Sequence, residues 1–172
     1  MILILTGPVG SGKTTLLKRV VAGLKNHDVR FTGYLSERVL KADETSGYDL
    51  LDLNDGRSLP FLRKEGGEYW PRTGVYYFNP EGLQIAWNII RRTRESELLI
   101  IDELGPAELE GGGVWPPLKN VLFIPLLNGL FVVRETIVAD FLAILENRPA
   151  RIFEVGDPAA YGNILDTVLR PA

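Results

Sequence analysis

Glycine, lysine and threonine near the start of the chain have the spacing of a phosphate-binding loop. Residues 7–14 read G-P-V-G-S-G-K-T and fill every fixed position of the pattern G-x-x-x-x-G-K-[ST]. In such a loop, consecutive backbone N–H groups surround an anion, and the start of the following helix adds positive potential. The chemistry expected of this segment is therefore binding of the phosphates of a nucleoside triphosphate.

Two side chains of the loop have specific expected roles. The Lys13 ammonium is expected to reach β- and γ-phosphate oxygens, which makes Lys13 a catalytic as well as a binding residue. The Thr14 hydroxyl is expected to ligate Mg²⁺, so the predicted ligands are Mg²⁺ and ATP or another nucleoside triphosphate. The residues predicted to contact the nucleotide are Gly7, Pro8, Val9, Gly10, Ser11, Gly12, Lys13, Thr14 and Thr15.

A pair of carboxylates that follows an apolar strand is the second chemical feature. Residues 98–101 are predicted to form a buried strand, and Asp102 and Glu103 come directly after it. Ligands of open α/β sheets bind at the carboxyl ends of the strands, so the pair should face the phosphate loop across one crevice. Asp102 is then expected to hold Mg²⁺, directly or through water, and Glu103 to deprotonate the attacking water.

Other charged residues are further candidates for the site, and one of them, Arg134, is a candidate for stabilising the charge that develops in phosphoryl transfer. Arg134 directly follows the predicted strand 130–133, which places it at the same sheet edge as Asp102. An exposed arginine at a strand end is the alternative interpretation. Glu37 and Arg38 either face the nucleotide or belong to an exposed, ion-paired strand.

Strands that alternate with helices must position these groups. A buried strand at residues 2–5 leads into the loop, and apolar residues at helical spacing predict a helix over about 13–25. The alternation predicts an α/β fold in three layers, with helices on both faces of a mainly parallel sheet. Further strands are predicted at 98–101, 130–133 and 151–155, and further helices after Asn79 and at 115–127, 138–146 and 159–169.

Residues 29–64 interrupt this alternation. Short strands are predicted at 31–40, 48–53 and 58–62, with turn-rich segments at 43–47 and 54–56 between them. We interpret this part as a small antiparallel meander inserted into the α/β fold. Because no linker or shift in composition divides the chain, residues 1–172 are predicted to form a single domain.

The amino-acid composition excludes some classes of functional site and disfavours some classes of partner. The 172 residues carry 19 basic and 22 acidic side chains, and the net charge of −3 disfavours nucleic acid as the main partner. With no cysteine and one histidine, His27, thiolate metal sites, cysteine nucleophiles and multi-histidine sites are excluded. A signal peptide and a membrane span are not predicted, and a cytoplasmic protein is expected. No feature indicates a particular protein partner or oligomeric state.

Three segments together resemble the THEP1-type nucleoside-triphosphatases: the loop at 7–14, the strand at 31–38 and the run I-D-E-L-G-P-A-E-L at 101–109. The resemblance covers nearly the whole chain and is loosest over 41–74. It implies a RecA-like P-loop NTPase sheet and Mg²⁺-dependent hydrolysis of several nucleoside triphosphates with little base discrimination. It also implies that Asp102 is the metal acid and Glu103 the water-activating acid. Where the family usually has methionine before a glutamate, this chain has Ala107 before Glu108.

Two other functions stay open at this point. A nucleotide or small-molecule kinase would use an acceptor hydroxyl in place of water, but nucleotide kinases usually carry an arginine-rich lid. The arginine cluster here, at positions 91, 92 and 94, precedes the acidic pair and is interpreted as a solvated helix end. A partner-coupled ATP- or GTP-binding switch fits the D-x-x-G spacing at 102–105, but no N-K-x-D or T-K-x-D run is present to recognise guanine.

Overall fold

A computed structural model of the chain describes residues 1–94 and 97–170. Within these residues, nine strands form one sheet. The strands are β1 (Ile2–Thr6), β2 (Phe31–Lys41), β3 (Glu44–Asp52), β4 (Ser58–Arg63), β5 (Arg72–Thr73), β6 (Tyr76–Phe78), β7 (Leu98–Leu104), β8 (Asn128–Val133) and β9 (Ala150–Glu154). The helices are α1 (Lys13–Asn26), α2 (Pro80–Arg91), α3 (Pro106–Leu109), α4 (Trp115–Leu122), α5 (Val138–Leu145) and α6 (Ala160–Leu169), with a 3₁₀ turn at Glu135–Ile137.

The sheet has a parallel half and an antiparallel half that meet at β2. Its strand order is β5-β6-β4-β3-β2-β7-β8-β1-β9. From β2 to β9 neighbouring strands run parallel, and from β2 to β5 they run antiparallel. The predicted α/β fold, with a parallel core and an antiparallel meander, is confirmed.

Side chains on the two faces of the parallel strands enter different apolar layers, as expected for strands buried on both sides. Leu3 and Leu5 of β1 pack with α1 and α6, whereas Ile2 and Ile4 pack with α2, α4 and α5. Each of these helices covers the sheet with an apolar stripe. In the described residues, none of the helices is long and apolar enough to cross a membrane.

The antiparallel half differs from the sequence prediction at its first turn and in its extent. The turn predicted at 43–47 is wrong, because β3 already begins at Glu44 and pairs with Lys41. The connection consists of Ala42 and Asp43, both with positive φ (+49° and +63°), a tight hairpin turn that lets the strands pair immediately. The meander also does not end near residue 64, since β5 and β6 extend it to Phe78.

The helix predicted at 115–127 ends at Leu122, five residues early. Pro125 lacks a backbone N–H and disfavours the helical conformation of the residue before it, so the helix cannot continue through it. The Arg148 guanidinium donates instead to backbone carbonyls of this segment, including those of Ile124 (2.7 Å) and Leu127 (2.9 Å). The bounds of the other predicted strands and helices lie within two residues of the observed ones, apart from β7, which continues to Leu104, and β3, which begins at Glu44 instead of residue 48.

Gly33 allows β2 to approach β7 closely. Its φ is +141°, and a Cβ atom at this position would lie 1.9 Å from the Ile100 carbonyl oxygen. A larger residue would therefore combine backbone strain with a clash against the backbone of the neighbouring strand. Gly33 pairs with Ile100, two residues before Asp102, so this close approach positions the next residues of β2 beside the acidic pair.

We expect Gly33→Ala to lower the free energy of unfolding by about 3 kcal/mol, the combined effect of left-handed strain and overpacking. Gly56→Ala is the matched control, because Gly56 also has a positive φ (+75°) but no atom within 4 Å of the added Cβ. The control should lose only about 1 kcal/mol. Urea denaturation of the three proteins measures both values, and equal losses would contradict the close-approach argument.

Candidate active site

The loop between β1 and α1 has the backbone shape that phosphate binding requires. Gly10 and Gly12 have φ values of +77° and +91°, a conformation that other residues rarely adopt. Gly12 immediately precedes α1, and its carbonyl accepts the first helical hydrogen bond from Leu16 (2.9 Å). The Ser11 hydroxyl closes the loop internally by donating to the Pro8 carbonyl (2.6 Å). The loop N–H groups therefore lie at the positive end of a 14-residue helix.

Lys13 is anchored to the loop that it follows. Its ammonium donates to the carbonyl oxygens of Gly7 (2.8 Å) and Pro8 (2.7 Å), and the side chain is buried. These neutral acceptors hold the ammonium at the mouth of the loop. Because a hydrogen bond to a charged acceptor is about twice as strong as one to a neutral carbonyl, an anionic oxygen in the loop would compete for this donor.

Asp102 lies at the end of β7 and is 1% exposed. Its Oδ2 accepts a hydrogen bond from the Ser36 backbone N–H (3.1 Å), and the Ser36 hydroxyl donates to the Asp102 carbonyl (2.6 Å). Burial raises the pKa of Asp102 to about 7, against the lowering effects of the Ser36 hydrogen bond, the nearby Thr14 hydroxyl and Lys13. The nearby Glu103 charge raises this pKa further.

Glu103 lies at a β-bulge. In the pairing of β7 with β8, Asp102 is opposite Val132 and Leu104 is opposite Val133, so Glu103 is an extra residue. The bulge makes Leu104 share the apolar layer of Ile101, which simple alternation along a strand would not allow. A bulge bends the strand and redirects a side chain. Here it directs the Glu103 carboxylate toward a cavity that the phosphate loop also lines.

Glu103 and Arg134 form an ion pair. The Nε of Arg134 donates to Oε1 of Glu103 at 2.7 Å, and both side chains are partly exposed. Arg134 directly follows β8, and its backbone N–H donates to the Leu104 carbonyl (2.9 Å), which fixes it beside the bulge. The sequence predicted Arg134 at this edge of the sheet, but no sequence pattern indicated its direct contact with Glu103.

The loop, the acidic pair and Arg134 line one cavity of about 560 Å³, the phosphate cavity. Of the predicted nucleotide contacts, Gly7, Pro8 and Ser11 are not part of its lining. Four lining residues that the sequence did not assign to the site are Lys18, Ser36, Tyr48 and Val132, although Ser36 lies in the run 31–38 that resembles the family. The full lining is Val9, Gly10, Gly12, Lys13, Thr14, Thr15, Lys18, Ser36, Glu37, Arg38, Tyr48, Asp102, Glu103, Val132 and Arg134.

Two further charged residues of the lining are Glu37 and Arg38. Glu37 also forms an ion pair with Lys18 (2.6 Å). Arg91, Arg92 and Arg94 are exposed at the end of α2, as predicted for a solvated helix end, and the Arg92 Nη2 also donates to both carboxylate oxygens of the buried Asp52 (2.9 and 2.7 Å). Arg92 therefore ties the end of α2 to β3.

Glu108 holds the backbone that follows the acidic pair. Its Oε2 accepts a hydrogen bond from the Gly105 N–H (2.9 Å) and its Oε1 one from the Val114 N–H (3.4 Å). These hydrogen bonds connect the residue before the short helix α3 with the end of the glycine-rich turn that follows the helix. Burial raises the pKa of Glu108, while the backbone hydrogen bonds from Gly105 and Val114 lower it in part.

A phosphate loop between a buried strand and a helix, facing an acidic pair at the end of a parallel strand, defines the class of P-loop nucleotide-binding proteins. A family model described as NTPase matches residues 2–159, and the chain belongs to this family. The resemblance to the THEP1-type nucleoside-triphosphatases is confirmed.

The nucleoside-triphosphatase THEP1 of Hyperthermus butylicus is 35% identical over 133 residues, which are 77% of this chain and 70% of that protein. The THEP1 of Thermofilum pendens is 32% identical over 156 residues, covering 88% and 85% of the two chains.

Two solved structures share the fold. The crystal structure of THEP1 from Aquifex aeolicus aligns with a TM-score of 0.75 at 22% identity, covering 99% of this chain and 100% of that one. The solution structure of a human cancer-related nucleoside triphosphatase aligns with a TM-score of 0.73 at 25% identity, covering 97% and 95%. The α/β sheet with a parallel core and antiparallel strands is thus shared with other nucleoside-triphosphatases.

Glu108 generates a pH prediction for stability. Folding raises the pKa of Glu108. In a range of pH above its ordinary pKa of 4.5, the folded protein therefore keeps the proton on the Glu108 carboxyl, whereas the unfolded chain has lost it. The unfolded state then binds fewer protons, so the free energy of unfolding falls as the pH rises through this range. In Glu108→Gln this contribution is absent. The unfolding free energy of the wild type relative to the variant should therefore decrease with rising pH.

Urea denaturation of both proteins in EDTA, at a series of pH values from 4.5 upward, measures this difference. Asp102 is present in both proteins, so its own titration cancels in the comparison. A difference that increases with pH would show that the pKa of Glu108 is lowered on folding.

Proposed function

We propose that residues 1–172 act as one domain that hydrolyses nucleoside triphosphates to the diphosphate and phosphate, with Mg²⁺ and with little base discrimination. The observation that carries the proposal is the convergence of Lys13, Thr14, Asp102 and the Glu103–Arg134 pair on one cavity. Membership of the NTPase family supports the same reaction.

In this proposal, the loop N–H groups at the start of α1 bind the β-phosphate. The Lys13 ammonium leaves the Gly7 and Pro8 carbonyls, which are 2.8 and 2.7 Å away, for β- and γ-phosphate oxygens. The exchange replaces two neutral acceptors by charged ones and is therefore favourable. Since charge develops on the γ-phosphate oxygens during transfer, the same contact stabilises the transition state.

The residues suited to Mg²⁺ are the Thr14 hydroxyl and the Asp102 carboxylate. In the described part of the chain there is no group of three or more histidine, cysteine or acidic side chains that could hold a metal by themselves. A single carboxylate with a hydroxyl suits Mg²⁺, which keeps several waters and binds substrate phosphates. Bound Mg²⁺ would neutralise phosphate charge. The Ser36 N–H orients Asp102 for this role by binding its Oδ2.

Glu103 is the proposed general base. The ion pair with Arg134 uses Oε1, so the pair fixes the carboxylate orientation while Oε2 accepts the proton of the attacking water. Arg134 lines the same cavity, and its guanidinium can also contact the γ-phosphate. One arginine would thus orient the base and stabilise the developing charge.

Base tolerance is supported by a further cavity of about 340 Å³, whose lining includes Ser11 and Gly12 of the loop. This cavity shares Gly12 and Thr15 with the phosphate cavity but includes neither Asp102 nor Glu103, so we assign it to the nucleoside and not to the γ-phosphate. Arg19 and Tyr161 contribute to its lining, with the guanidinium 4.8 Å from the ring centroid. Planar groups of this kind stack on any base, because every base has a π-face.

Phosphate release from ATP, GTP, CTP and UTP, each with Mg²⁺ or with EDTA, tests the proposed reaction. We expect release from all four with Mg²⁺, with kcat/KM values within roughly tenfold of one another, because stacking differs little between bases. Release should stop in EDTA. Strict dependence on GTP would contradict base tolerance, and full activity in EDTA would contradict the metal site.

Lys13→Ala is the control for this assay. It removes the ammonium that binds the phosphates, so both nucleotide affinity and turnover should fall. Phosphate release that survives in this variant would come from another site or from a contaminant.

We expect Glu103→Gln to lower kcat by roughly 10²–10⁴-fold with nearly unchanged nucleotide affinity, because the amide cannot take the proton from water. Steady-state kinetics measure kcat, and titration with a fluorescent nucleotide measures affinity. Glu135→Gln is the matched control, because Glu135 is exposed and close in sequence to Arg134 but outside the cavity. Unchanged turnover in Glu103→Gln would assign water activation to another group.

A further inference from the structure

A second cavity lies between the antiparallel strands and the segment after β7. Its volume is about 430 Å³, which is within the range of small-molecule sites. Tyr34, Phe61 and Phe78 form part of its lining, and they pack edge to face with ring centroids 5.6 and 5.4 Å apart. Tyr48 and Tyr76 form another part, with centroids 5.5 Å apart. Aromatic rings therefore surround a space large enough for a heteroaromatic molecule.

This second cavity adjoins the phosphate cavity at its reactive end. Ser36, Tyr48, Glu103 and Arg134 line both cavities. The cavity lined by Arg19 and Tyr161 contains none of these residues, so it and the second cavity border the phosphate cavity through different residues. A molecule in the second cavity would therefore face the γ-phosphate and the carboxylate of Glu103.

The charges of the lining indicate the class of molecule. Among the described residues that line the second cavity, the acidic side chains are Glu103, Glu108 and Glu110, and the basic ones are Arg72 and Arg134. Arg134 is already paired with Glu103. The Arg72 Nε donates to the Gly74 carbonyl (2.9 Å), so both arginines of the lining already have partners and the lining offers no dedicated contact for a ligand's own phosphate. The aromatic lining favours a planar ring. The lining thus fits an uncharged aromatic alcohol, such as a nucleoside.

We propose that the second cavity binds an uncharged aromatic alcohol of nucleoside size and that the γ-phosphoryl group is transferred to its hydroxyl. This inference rests on the proposed nucleotide site. The hydroxyl oxygen forms a bond to the γ-phosphorus, while the bond from the γ-phosphorus to the bridging oxygen breaks and the nucleoside diphosphate leaves. The hydroxyl proton passes to Oε2 of Glu103 and then to solvent. Water and the alcohol compete for the same phosphoryl group.

The tip of the hairpin formed by β5 and β6 gives the second cavity an apolar rim. Gly74 and Val75 connect the two strands, and the Val75 side chain is 62% exposed beside the cavity that it lines. Burial of such a side chain against a bound ring would remove apolar surface from water. The rim therefore favours an aromatic ring over a wholly polar acceptor.

Radiolabelled ATP tests the inference with the full chain and Mg²⁺. ATP labelled at the γ-phosphate is incubated with adenosine, cytidine or thymidine, or with the matching 5′-monophosphates, and labelled products are separated by thin-layer chromatography. We expect labelled nucleoside monophosphate from at least one nucleoside, with a matching decrease in labelled phosphate. The 5′-monophosphates should give no labelled diphosphate.

Three variants locate the acceptor. Tyr76→Ala removes a ring from the second cavity, and the ratio of transfer to hydrolysis should fall by about 5- to 150-fold, the usual effect of losing one stacked aromatic ring. Tyr76→Phe keeps the ring and should retain most of the transfer. Tyr69→Ala is the matched control, because Tyr69 is 87% exposed and outside the second cavity, and it should leave the ratio unchanged.

The outcomes separate this inference from the proposed hydrolysis. Phosphate release without any labelled nucleoside monophosphate overturns the acceptor site and leaves hydrolysis standing. Transfer to monophosphates but not to nucleosides overturns the uncharged class, and equal ratios in the Tyr76→Ala and wild-type proteins overturn the location. If neither product forms, the hydrolase function fails together with the inference.

Discussion

The buried carboxylate of Asp102 imposes the strictest physical requirement in this structure, because a charged group removed from water must be compensated by donors and positive charge. Two other parts of the chain offset this cost in part, and burial still raises the pKa of Asp102 to about 7. The Ser36 N–H on β2 binds the carboxylate directly, and Thr14 and Lys13 at the start of α1 lie near it. The approach of β2 to β7 depends in turn on Gly33. The phosphate loop, the parallel core and the first meander strand are thus coupled through one side chain.

The next residue along the chain shows how a local irregularity gives neighbouring carboxylates different environments. Asp102 keeps the regular register of β7 and is buried, whereas the bulge at Glu103 turns that side chain toward the cavity and toward Arg134. Two adjacent acids can therefore have separate proposed tasks, metal binding and proton transfer. Different environments for paired titratable groups are a general way in which enzymes separate such tasks.

The antiparallel half of the sheet contributes more to the site than an insertion at the edge of the fold would suggest. Its strands supply Ser36, Tyr48 and the aromatic lining of the second cavity, and that cavity shares four residues with the phosphate cavity. The meander is also tied to the rest of the fold through the Arg92–Asp52 ion pair. The meander is therefore the part of the chain best placed to determine which molecule meets the γ-phosphate in the proposed reaction.

The sequence by itself determined the α/β class, the phosphate loop and the acidic pair, because these depend on short runs whose spacing reflects local geometry. Glycine at positions 10 and 12, Lys13 and the apolar run before Asp102 are readable without any distant contact. The tertiary structure alone decided the bulge at Glu103, its pairing with Arg134 and the hydrogen bonds between Ser36 and Asp102, since each joins residues more than 30 positions apart or depends on strand register. The hairpin at Ala42 and Asp43 was missed for a related reason: alanine has no preference for positive φ, and only the pairing of β2 with β3 stabilises it there. Local spacing thus specifies which groups are available for chemistry, and non-local packing decides which of them meet.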